Sequence, residues 1–176
     1  VWGTLDAPLI DVSAGNRMAG ADLFSIDVNG RSSHGGEPHL GMDAISIGCA
    51  IVNNLQQCVS RMNDPLHPEV LTIGEFAGGP QFNVISDHVW MQGTTRYFTR
   101  TPQIEGQMRR IIEQTAASFG AEATLNYEYK SPAVVNSDSL MNRVAHDTVV
   151  KLFGNEALGN LPPMMGGEDF AQLVPT

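Results

Sequence analysis

An α+β fold on a single antiparallel sheet is predicted for residues 18–131 of this 176-residue chain. Three observations predict it. Within that stretch apolar residues recur at helical spacing twice, alternate at strand spacing four times, and are punctuated by glycine and proline turns. Written out, the order is strand, helix, strand, strand, helix, strand.

The elements follow in chain order. Residues 1–17 open on Val1 and Trp2 without a methionine, and the run to Asp6, Ala7 and Pro8 reads as a strand leaving a core, which suggests a piece of a longer protein. Residues 18–28 alternate as a strand, most clearly over 23–28. A loop rich in glycine and serine, 30–39, then carries His34 and His39. In 43–61, Ile45, Gly48, Ile51, Val52, Leu55 and Val59 form a helical stripe, with Asp43 at the positive end of the helix dipole. Asn63, Asp64, Pro65, His67 and Pro68 end it.

Residues 70–76 read as a strand, Gly78, Gly79 and Pro80 as a turn, and 82–98 as the second arm of a hairpin. Thr101 and Pro102 form a helix start, a capping hydroxyl before a proline, and Ile104, Met108, Ile111, Ile112, Thr115 and Phe119 line one face up to Gly120. Residues 121–129 alternate again. This order is the ferredoxin-like split βαβ arrangement, two helices on one face of a four-stranded antiparallel sheet.

Beyond Ser131 and Pro132 the character changes. Residues 137–152 read as a helix capped by Ser137, with Leu140, Val144, Thr148 and Leu152 in register, followed by a turn at Gly154 and Asn155. Such a segment needs another body to pack on.

Composition narrows the function. Ten basic against nineteen acidic residues give a net charge of −9 and a pI near 4.8, which disfavours nucleic acid and anionic membranes as partners. No apolar run would span a bilayer, and the first eleven residues lack signal-peptide character, so a cytoplasmic location is expected. Cys49 and Cys58, nine positions apart in one helix, fall on roughly opposite faces and are expected to stay reduced and to pack.

Candidate chemistry centres on His34, whose imidazole can donate or accept a proton near neutral pH. The residues alone leave it open whether His34 is functional or a capping and surface histidine. Asn83, after the glycine–proline turn, is either a ligand-binding amide or a turn-stabilising one. Arg96 is either a carboxylate partner or half of a cross-strand salt bridge. Glu168 and Asp169, behind Gly166 and Gly167, suggest a base beside a metal ligand. No His-x-Asp, His-Glu-x-x-His or paired-cysteine site accompanies them, and serine elbows and phosphate-binding loops are absent, so no metal centre is expected within the chain.

Four runs together resemble one family. They are Gly30-x-x-x-His34-x-x-x-Pro38-His39, then Gly78-Gly79-x-x-Phe82-Asn83-Val84-Ile85-x-Asp87, then Gly93-Thr94-x-Arg96, and Met165-Gly166-Gly167-Glu168-Asp169-Phe170. They resemble the metal-dependent amidohydrolases and exopeptidases that include aminoacylases, carboxypeptidase G and the hydrolases of auxin amino-acid conjugates and N-acetyl-diaminopimelate. The resemblance implies a ferredoxin-like lid at 18–131, also the dimerisation domain, inserted into an α/β catalytic domain with flanking pieces at 1–17 and 132–176. It implies two divalent metal ions, zinc or manganese, held by ligands outside this chain, and an acyl-amino acid or peptide substrate.

By the same resemblance His34 stabilises the oxyanion, often in the partner subunit's site, and Asn83 and Arg96 hold substrate carbonyl or carboxylate. Gly166, Gly167 and Glu168 would face the substrate cleft, so Glu168 and Asp169 are not the base and metal ligand. Ser86 stands where such proteins usually carry proline. The lid is expected to form a homodimer through its first long helix and an edge strand. The rival expectation is a free-standing ferredoxin-like module that binds a small molecule or dimerises without catalysis.

Overall fold

A computed structural model describes residues 5–100 and 103–173. Its strands are β1 (Gly15–Met18), β2 (Gly20–Asn29), β3 (Ser33–His34), β4 (Glu69–Gly78), β5 (Val84–Ile85), β6 (His88–Tyr97), β7 (Glu122–Ser131) and β8 (Val134–Asn136). Its α-helices are α1 (Ala44–Gln57), α2 (Gln103–Ser118) and α3 (Ser139–Phe153). Strands β4, β6, β2 and β7 form one four-stranded sheet in that order, every neighbouring pair antiparallel. With α1 and α2 on one face, this is the ferredoxin-like fold.

Alternation builds the core. Phe24, Ile26 and Val28 of β2 and Val89 and Met91 of β6 point at the helices and are fully buried. The other face of β2 and β6 carries Ser25, Asp27, Gln92 and Thr94, and water rather than apolar cover suits it. Against the buried face, Ile47, Ile51, Leu55 and Cys58 of the first helix meet Met108 and Ile112 of the second. Burial, followed by the Glu69 charge, pushes the Cys58 thiol up to about 11.

Gly93 lets the central strand lie this close to its neighbours. A Cβ there would sit 2.2 Å from the Thr72 carbonyl oxygen and 2.3 Å from Phe24 Cζ. Gly93→Ala is therefore expected to destabilise the fold by about 1–3 kcal/mol, read as a lower urea midpoint at unchanged slope. An unaltered midpoint would mean the strands can part at no cost.

Several expectations need correction. The strand at 82–98 is two: Ser86 and Asp87 break it, β5 leaves to pair with β3, and the buried Ser86 hydroxyl closes the break by donating to the His88 carbonyl at 2.8 Å. The strand at 18–28 divides at Ala19, with β1 pairing β8 instead. Ile45 is 38% exposed and Cys49 is exposed, because the helix phase is set by Ile47, Ile51 and Leu55. Past Gln57 the helix widens into a π turn, Cys58–Met62. Phe119 is 53% exposed. Thr101 and Pro102 lie outside the described residues.

The third helix is capped by Asp138, not Ser137. Its carboxylate accepts from the Leu140 and Met141 amides at 2.8 and 2.9 Å, two of the donors a helix start leaves unpaired. Only Val149 of α3 is buried, and Leu140, Val144 and Leu152 face outward. No helix of the described residues is long and apolar enough to cross a membrane.

Candidate functional site

Two groups of candidate residues form, at opposite ends of the sheet. At one end β3 and β5 pair His34 with Val84, and the Gly35 amide donates to the Asn83 carbonyl at 2.8 Å. A Cβ on residue 35 would lie 2.9 Å from that carbonyl oxygen, so glycine is what permits the approach. His34 and Asn83 are thereby side by side, and both are exposed. Phe82, next in line, is 97% exposed.

The His34 ring is oriented by its own loop. The Gly36 amide donates to Nδ1 at 3.1 Å. An Nδ1 that accepts carries no proton, so the neutral ring bears its hydrogen on Nε2 and presents it outward. That is a preset donor for a developing oxyanion.

Arg96 stands near the other end of β6, opposite Ala21 of β2 and Val70 of β4. A Cβ built on Gly167 would be 2.9 Å from Arg96 Nη1, so the glycine run lies against the guanidinium. Backbone bonds hold that run in place, from the Ala19 amide to the Met164 and Gly166 carbonyls at 3.0 Å. Glu168 behaves differently from its neighbours. Its carboxylate accepts from the Phe170 amide at 3.3 Å and lines a cavity of about 300 Å³ with Met18, Val134, Met164 and Phe170.

That cavity also touches the Arg17–Asp11 ion pair, 2.7 Å long. Burial pushes the Asp11 carboxyl up, but hydrogen bonds from Ser13 and the Leu161 amide, with the Arg17 charge, outweigh it and hold the group below the usual carboxylate range. Asp11 and Arg17 escaped the sequence reading because neither sits in a recognisable motif. Among the described residues no group of three or more His, Cys, Asp or Glu side chains could hold a metal ion, so the residues here do not fit a two-metal centre.

The separation of the two groups follows from strand geometry. Arg96 and His88 are both on β6, about 27 Å apart at ~3.4 Å per residue. His34 and Asn83 lie beyond the His88 end, where the Gly30 amide donates to the Asp87 carbonyl at 2.8 Å. No amino-acid-sized substrate touches both groups of one chain.

A ferredoxin-like sheet with unlike binding groups at its two ends defines a module suited to pairing two copies of a hydrolase. Residues 18–120 match the peptidase dimerisation domain. The chain belongs to the M20 family of peptidases and amidohydrolases.

Relatives agree. The N-acyl-L-amino acid amidohydrolase of Geobacillus stearothermophilus is 37% identical over 78% of this chain and 38% of its own length. A crystal structure from methicillin-resistant Staphylococcus aureus, 31% identical, matches 98% of this chain and 45% of that one with a TM-score of 0.86. The YXEP protein of Bacillus subtilis, described as a dinuclear metal-binding peptidase of the M20 family, is 27% identical over 98% of this chain and 42% of that one, with a TM-score of 0.73. This chain thus spans less than half the length of the relatives it matches.

Proposed function

We propose that this chain works within a longer, two-metal N-acyl-amino-acid amidohydrolase or peptidase that hydrolyses an amide bond with metal-activated water. Residues 18–131 are the lid and dimerisation domain, and 1–17 and 132–176 are parts of the catalytic domain. The metals, zinc or manganese, are held by residues outside this chain. What this chain supplies is a neutral Nε2–H donor on His34 for the oxyanion, an amide on Asn83 for the substrate carbonyl, and the Arg96 guanidinium for the substrate carboxylate.

The observation that carries this reading is the distance between the His34 and Arg96 ends. Two copies related by a two-fold axis bring one protomer's His34 and Asn83 to the other's Arg96 and glycine run. The pairing surface is α1 with the exposed edge strand β4, whose unpaired backbone groups invite a second strand.

Subunit complementation in the longer protein tests it. His34→Ala and Arg96→Ala are each expected to abolish most hydrolysis of acyl-amino acids, and mixing the two inactive dimers is expected to restore activity. A mixture as inactive as its parts would sink the shared site. A long form that binds no metal and hydrolyses nothing would leave a non-catalytic binding module.

A further inference from the structure

On the open face of the sheet three side chains share one row. Arg96 of β6 and Ser131 of β7 are the register partners of Ala21 of β2, so all three point the same way. The glycine run lies across this row. A Cβ on Gly167 would come 3.1 Å from Ala21 Cβ and 2.9 Å from Arg96 Nη1, and the Ser131 hydroxyl donates to the Glu168 carbonyl at 3.1 Å.

Ser131 reaches this row through a β-bulge. Tyr129 pairs with Asp22 and Ser131 with Ala21, so Lys130 is the extra residue. In an unbroken ladder Lys130 would stand opposite Ala21 and push its long cationic side chain under the glycine run. A bulge also strands a backbone amide. Here the Lys130 amide donates to Asp22 Oδ1 at 3.0 Å, on the helix side of the sheet.

Asp22 is well built for this task. Its side chain is fully buried and is further held by Arg100 Nη2 at 3.0 Å and the Tyr127 hydroxyl at 3.3 Å. We propose that Asp22 and Ser131 are positioning residues of the Arg96 end of the site: Asp22 fixes the Lys130 bulge, the bulge sets Ser131 in the row, and Ser131 ties Glu168 so that Gly167 stays against the guanidinium. The inference rests on Arg96 being the substrate-carboxylate partner.

Two readouts test it with Ser131→Ala, a change too small to unfold the chain, and with Asp22→Asn beside it. In the chain as it stands, the Gly167 amide order parameter is expected to fall from about 0.85 to below about 0.6 in both variants, with β2 and β7 amides still rigid. In the longer protein KM for an acyl-amino acid is expected to rise about fivefold, the worth of one hydrogen bond, with kcat within about twofold. A Gly167 amide as rigid in Ser131→Ala as in the unaltered chain overturns the tether. A loosened amide with unchanged KM overturns its role in binding. A longer protein that hydrolyses nothing fails the proposed function, and the Gly167 amide then decides the tether alone.

Discussion

Replacing His34 by alanine in the longer protein is expected to lower kcat by about 10²- to 10³-fold while metal content and KM change little. The magnitude is that of losing one preorganised donor to an oxyanion, an interaction made in the transition state more than in the ground state. Geometry supplies the reasons. The Gly36 amide occupies Nδ1, leaving Nε2–H as the donor, and the β3–β5 ladder fixes the ring's backbone beside Asn83. His34→Gln keeps an N–H donor on a shorter reach and should recover part of the loss. Turnover that survives His34→Ala would return His34 to the status of a loop histidine.

The pairing of His34 with Asn83 shows what a linear reading can and cannot reach. Both residues were legible, because each stands in a glycine-flanked run whose composition marks a close backbone approach. Their juxtaposition was not, because it depends on β5 breaking away from β6 at Ser86, and alternation runs through that break without interruption. Periodicity reports which face a residue takes, not where a strand changes partner.

The same limit explains the helices. The stripe of α1 was found by spacing, yet Ile45 turned out exposed, since its phase is decided by which residues meet the sheet. In α3 the apolar positions 140, 144 and 152 were legible as one face, and that face points away from this chain. Spacing cannot name the body that covers a stripe. The Lys130 bulge was invisible for a further reason: one extra residue in β7 leaves composition and approximate alternation intact, and only cross-strand register reveals it.

Asp22→Ala is expected to cost about 3 kcal/mol of folding stability. In the sequence Asp22 is one polar residue in an alternating strand, and its place on the buried face is the anomaly that the structure explains. The fully buried carboxylate accepts from the Lys130 amide, the Tyr127 hydroxyl and Arg100. Removing it leaves the amide and hydroxyl without that acceptor, at about 1–3 kcal/mol for each group left unsatisfied. Arg100 is 40% exposed and rehydrates, so its loss adds little.

The cluster also sets an alkaline limit. Burial, reinforced by the Asp22 carboxylate, pushes the buried Tyr97 phenol up to about 12, and burial raises Tyr127 further. A folded value above the unfolded phenol's means the folded chain holds the proton longer. The associated stability is complete below pH ~10 and is lost as pH rises through 12, an amount of about 2–3 kcal/mol for Tyr97. Urea melts at pH 8 and pH 11 read both effects: the unaltered chain should weaken between them, and Asp22→Ala should start weaker and lose less, since one cause of the raised phenol is gone. A variant as stable as the parent at pH 8 would mean the bulge amide and the Tyr127 hydroxyl find water instead, and that β7 needs no carboxylate to turn Ser131 toward Glu168.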